Sequence, residues 1–179
     1  MRFAAYFFLT YFMLGLQVGI SRYITIHGAA PNLALLAVIY ISLNAPRNAA
    51  LLGSFAIGLT QDLLSAQTPG LYAFSYGLVA MMTVGLHHLV KRTHPITHLT
   101  VALIGGLITA FVLLLHSLIH PAAAAFVSEG HGKLSAVRIP AGTEFVRVLY
   151  TAAIAPLVLY GLDKIRGVFA FQAQGRAKR

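Results

Sequence analysis

Residues 99–119 read LTVALIGGLITAFVLLLHSLI, a run of 21 residues without Asp, Glu, Lys or Arg. A helix of about 20 apolar residues crosses the hydrocarbon core of a bilayer. Working outward from this run, five others of the same kind lie between breaker residues. They are Phe3–Ile20, Asn32–Ala45, Ala49–Leu64, Leu71–Val90 and Glu144–Leu162. The reading is an all-α integral membrane protein, a compact bundle of about six transmembrane helices over residues 1–163, followed by a basic tail at 164–179.

Composition agrees. Hydrophobic residues make up 58% of the 179, charged residues only 9%, and the mean hydropathy is +0.79. Soluble domains carry about 25% charged residues, so this chain cannot cover its own surface with them. The net charge of +9 comes from 13 Lys and Arg, almost all between the apolar runs or in the tail. There each is attracted to an anionic leaflet by roughly 1 kcal/mol, which makes lipid, and not nucleic acid, the expected partner of the charge. Cysteine is absent, which excludes disulfides and thiolate metal sites.

Arg2 followed by Phe3–Ile20 has the layout of a signal peptide. The apolar core is long, however, and the nearest small-x-small site, Gly28-Ala29-Ala30, lies well beyond it. A retained first helix is expected. The second run rises only about 21 Å over its 14 residues, against a core of about 30 Å. A re-entrant hairpin would put Pro46-Arg47-Asn48 at membrane depth, where Arg is costly; two short or tilted spans joined by a cytoplasmic turn are expected instead. Cytoplasmic termini place Arg2, Arg47, Lys91, Arg92, Lys164, Arg166, Arg176, Lys178 and Arg179 inside, against Arg22, Lys133, Arg138 and Arg147 outside. The positive-inside rule selects that orientation. The tail carries Phe169 and Phe171 among its cations and reads as an interfacial anchor.

Asp62 is the one acid inside the apolar body, and ionisable groups at that depth are functional candidates. Two roles are open: locking the bend into Gly70 by an ion pair or hydrogen bond, with Arg22 and Arg147 as candidate partners, or binding a substrate or proton. Glu144 and Arg147 share a helical face three residues apart, with the acid at the positive end of the dipole, and read as a helix start. Gly15 and Gly19, Ser54 and Gly58, and Ala102 and Gly106 have the spacing that lets helices approach closely in lipid, whether within the chain, with a partner or with a second copy. His94 and His98, and His116 and His120, have the i, i+4 spacing that suits zinc or iron. The first pair is split by Pro95 and the two pairs fall on opposite sides of the membrane, so interfacial histidines are expected and no cofactor or metal. No nucleophile elbow, Walker loop, HExxH or Rossmann glycine pattern occurs.

From Pro31 to Phe74 the chain carries Pro31-Asn32-Leu33, Ile39-Tyr40, Ala45-Pro46-Arg47, Gly53, Gly58-Leu59, Asp62-Leu63-Leu64-Ser65 and Gly70-Leu71-Tyr72-Ala73-Phe74. In this order and spacing it resembles the rod shape-determining protein MreD family. The family commonly shows Pro-Asp where Pro31-Asn32 stands, and a more glycine-rich loop where Ala66-Gln67-Thr68-Pro69 stands. The resemblance implies a non-enzymatic scaffold or regulator of bacterial cell elongation and peptidoglycan synthesis in the inner membrane. Its implied partners are an MreC-like single-pass protein, an MreB-like filament and the wall glycosyltransferase and transpeptidase pair. It also implies a fold like the substrate-binding subunits of energy-coupling-factor transporters. That likeness keeps a solute-binding subunit of a vitamin transporter as the alternative, with a polar outer pocket from Asp62, Gln61, Asn32 and Tyr72. A third reading is a metal-dependent membrane enzyme built on the histidines. The candidates for structural or partner-contact roles are Asp62, Gly58, Gly70, Tyr72, Pro31, Asn32, Pro46, Arg47, Gly15, Gly19 and Arg147.

Overall fold

Among the described residues six helices are formed in chain order: α1 (Arg2–Ser21), α2 (Leu33–Asn44), α3 (Arg47–Ser65), α4 (Leu71–Gly85), α5 (Pro95–Ile119) and α6 (Ala141–Lys164). They come from a computed structural model that describes residues 2–21, 23–25, 28–65, 69–86, 95–119 and 141–164. Among the described residues, two helices, Ile96–Ile119 and Gly142–Lys164, are long and apolar enough to cross a membrane.

Local chemistry explains the boundaries. α5 starts at Pro95, four residues before the run expected from hydropathy, because proline's missing N–H and fixed φ suit the first helical position. His98 therefore stands on a helix and is buried there, while His87, His88, His94 and His120 lie outside the described residues. α3 likewise begins directly after Pro46 and takes in Arg47. α4 opens after Gly70, whose φ of 97° lies in the left-handed region that a side chain disfavours.

α2 is the centre of the molecule. All 12 of its residues are buried, and it packs against each of the five other helices. At 1.5 Å per residue it rises about 18 Å. A helix apolar all round belongs in a core, and α2 forms the spine of the main apolar cluster with Leu9, Met13, Ile57, Tyr76, Val79 and Leu159. The helices around it turn large apolar side chains outward. Phe8, Tyr11, Phe55, Leu63, Phe74, Phe111, Leu118, Phe145 and Leu157 are each more than half exposed. Among the apolar core residues the inside also holds polar groups: Asn32, Ser54, Gln61, Asp62, Thr83, Glu144 and Thr151 are buried.

Candidate functional site

The buried residues of α3 are Ala50, Ser54, Ile57, Gly58, Gln61 and Asp62. Their spacing is that of one helical face, and that face meets α4. A Cβ at Gly58 would stand 2.6 Å from Ala73 N and from Tyr72 O, so only glycine admits the α4 backbone this closely. One turn further, Asp62 uses the approach. Its Oδ2 accepts from Gly70 N at 2.9 Å and Ala73 N at 3.1 Å, and its Oδ1 accepts from Tyr72 N at 2.8 Å. The Gly70 cap has no side chain to satisfy the first N–H groups of α4. The carboxylate of the preceding helix does so in its place, at the positive end of the helix dipole. Asp62 is 2% exposed.

Asn32 is a second junction. It caps α2 by accepting from Leu35 N at 3.0 Å, and the same Oδ1 accepts from the Tyr76 hydroxyl of α4 at 2.9 Å. Its own N–H donates to Thr151 Oγ1 of α6 at 2.9 Å, and Thr151 donates in turn to Arg147 O. Gln17, a polar residue in the apolar run of α1, accepts from Ala34 N at 2.9 Å and donates to Gln61 Oε1 at 3.4 Å. On α6, Arg147 pairs with the buried Glu144 at 2.8 Å, and its guanidinium lies near Tyr72. Thus the helix ends that alternate along the chain meet at one end of the bundle: the last turns of α1 and α3 and the first turns of α2, α4 and α6. Between them lies a cavity of about 380 Å³ lined by Gln17, Asn32, Gln61, Ser65, Tyr72 and Arg147, with Val18 and Leu64 among its apolar walls.

Of the residues singled out in the sequence, Asn32, Gln61, Tyr72 and Arg147 come together here, with Pro31 beside them. Asp62 lies behind the wall with its oxygens turned to α4. Arg147 faces Glu144, and Arg22 lies outside the described residues. Pro46 and Arg47 are exposed at the opposite end, between α2 and α3. Gly58 packs within the chain, as does Gly106, where a Cβ would stand 3.0 Å from Val148 of α6. Gly15 and Gly19 differ: both are exposed and meet nothing within 4 Å. Sequence reasoning passed over Gln17, Tyr76 and Thr151. Their one signal is a lone polar group in an apolar helix, which does not say where that group points. Among the described residues no group of three or more His, Asp or Glu is placed to hold a metal.

The protein family described as rod shape-determining protein MreD matches residues 1–131, about three quarters of the chain. The chain belongs to the MreD family. Its members are membrane proteins with a part in determining cell shape, and the apolar helices of this chain fit that setting. The matched segment includes the Asp62 lock, the Asn32 junction and α2, whereas α6 with Glu144, Arg147 and Thr151 lies beyond it. Comparison with curated proteins and with solved structures returned no match.

Proposed function

We propose that the chain is a non-enzymatic scaffold or regulator of the cell-elongation complex, embedded in the bacterial inner membrane. In this reading all six helices of residues 1–163 span or fill the bilayer in a bundle like the substrate-binding subunits of energy-coupling-factor transporters. Both termini and the basic tail from 164 onward then lie in the cytoplasm against anionic lipid. The observation that carries it is membership of the MreD family. The outward apolar side chains of α1, α3, α4, α5 and α6 support it, because lipid is the solvent that such a surface suits. So does the use of Asp62 and Glu144 within the fold.

The partner is an MreC-like single-pass protein, through which an MreB-like filament and the wall glycosyltransferase and transpeptidase pair are reached. Gly15 and Gly19 offer α1 as the face for that helix or for a second copy of the chain, since their backbone is open. Affinity purification from the native membrane is expected to recover a single-pass membrane protein and wall-synthesis components. Recovery of neither removes the reading. The polar cavity is the one observation favouring the alternative, a solute-binding subunit of a vitamin transporter. Mass spectrometry of the purified chain with a vitamin bound in it decides for that role.

A further inference from the structure

The cavity between Gln17, Asn32, Gln61, Tyr72 and Arg147 is unusual in which of its polar atoms are already used. Amide orientation is set by the hydrogen bonds an amide makes. Two backbone N–H groups set it here. Leu35 N donates to Asn32 Oδ1, so Nδ2 is the free end of Asn32. Ala34 N donates to Gln17 Oε1, so Gln17 Nε2 faces Gln61 and takes its Oε1. That leaves Nε2 as the free end of Gln61. Among the described residues no acceptor takes the Asn32 Nδ2 or Gln61 Nε2 hydrogens. Arg147 adds a guanidinium with five N–H donors in all, of which its Nη1 pairs with Glu144 and another bonds to the Tyr72 side chain. The side-chain oxygens of these three amides are used inside the protein, while the N–H ends of Asn32 and Gln61 are left over at the cavity.

We propose that this cavity binds an oxyanion, a phosphate or carboxylate group, held by Arg147 with the amide N–H groups of Asn32 and Gln61. Charge-assisted hydrogen bonds to such a group are the strongest available there. Neither nearby acid lines the cavity: the oxygens of Asp62 accept three backbone N–H groups at the start of α4, and Glu144 offsets part of the Arg147 charge, which leaves the remaining guanidinium N–H groups and the two amides to hold the anion. The rim favours an amphiphile as the carrier. Val18 and Leu64 both stand at the cavity and are 60% and 54% exposed, so an apolar chain leaving the polar group would find apolar surface outside. The site goes beyond both roles proposed above and depends on neither.

The test uses the full chain purified in detergent. It is titrated with phosphatidylglycerol, with diacylglycerol of the same chains, with inorganic phosphate and with acetate, and binding is followed by native mass spectrometry and thermal shift. Saturable binding of phosphatidylglycerol but not diacylglycerol identifies a lipid headgroup as the source, and saturable binding of phosphate or acetate identifies a free anion. Either supports the site, provided Arg147→Gln and Gln61→Leu each weaken it about tenfold and Arg47→Gln, at the far end of the bundle, does not. In the unaltered chain, bound ligand is expected to shield Arg147, and not Arg47, from modification by phenylglyoxal. That readout holds even if a variant fails to fold. No saturable binding of phosphatidylglycerol, phosphate or acetate, diacylglycerol binding as well as phosphatidylglycerol, binding indifferent to either substitution, or an Arg147 that reacts equally with and without ligand overturns the proposal. A cavity filled only by a partner's polypeptide gives the first of these results.

Discussion

Two oxygens of Asp62 accept three N–H groups of the α4 start. Each buried donor left without an acceptor costs about 1–3 kcal/mol. Asp62→Leu is therefore expected to lower the thermal midpoint in detergent strongly. Asp62→Asn, which keeps one acceptor oxygen, is expected to lower it less. A leucine variant as stable as the parent but inactive in the elongation complex would show that the carboxylate serves function and not the fold. Gly58 admits a sharper prediction. Its missing Cβ would press on the Ala73 backbone and the Tyr72 carbonyl, atoms that no rotamer change can move aside. Gly58→Ala should destabilise despite alanine's better helix propensity, and the Asp62 bonds should loosen with it. Hydrogen exchange at the Tyr72 and Ala73 amides reads that loosening directly.

At the level of elements, the short α2 depends on what holds its first turn. Asn32 links that turn to α4 through Tyr76 and to α6 through Thr151. Loss of an N-cap side chain costs roughly 0.5–2 kcal/mol by itself. Asn32→Ala also strands the Tyr76 hydroxyl, so its thermal penalty should exceed that of Tyr76→Phe, which removes the hydroxyl itself. α1 gives the opposite expectation. Gly15 and Gly19 face open space, so Gly15→Leu should leave the thermal midpoint of the isolated chain unchanged. If α1 is the partner face, the same substitution reduces co-purification of the single-pass protein; undiminished recovery would move the interface elsewhere.

For the whole molecule, the surface differs from that of a water-soluble fold: aromatic and aliphatic side chains stand outside as well as in the core, and the polar junctions are buried. The proposed topology follows from that surface together with the cationic ends. The absence of cysteine gives a clean background for single-cysteine labelling. Tyr23→Cys, at a position 88% exposed, should react with a membrane-impermeant maleimide on intact cells. Arg176→Cys should react only after permeabilisation. The reverse pattern would invert the orientation.

The kind of solvent, the number of helices and the family were legible from composition, apolar runs and the G-L-x-x-D-L-L-S stretch, because hydropathy and local spacing are properties of neighbouring residues. The acid at position 62 was visible as an exception for the same reason. Its partners were not. The cations at Arg22 and Arg147 looked suited to it by charge, yet the close approach at Gly58 brings backbone N–H groups to it first. Nor does the sequence say that α2, apolar all round as a span facing lipid would also be, is the helix buried on every side. Which residues 119 positions apart share a hydrogen bond, and which amide ends remain free in the cavity, is decided by packing. Those contacts exist only once the alternating helix ends have been gathered at one end of the bundle.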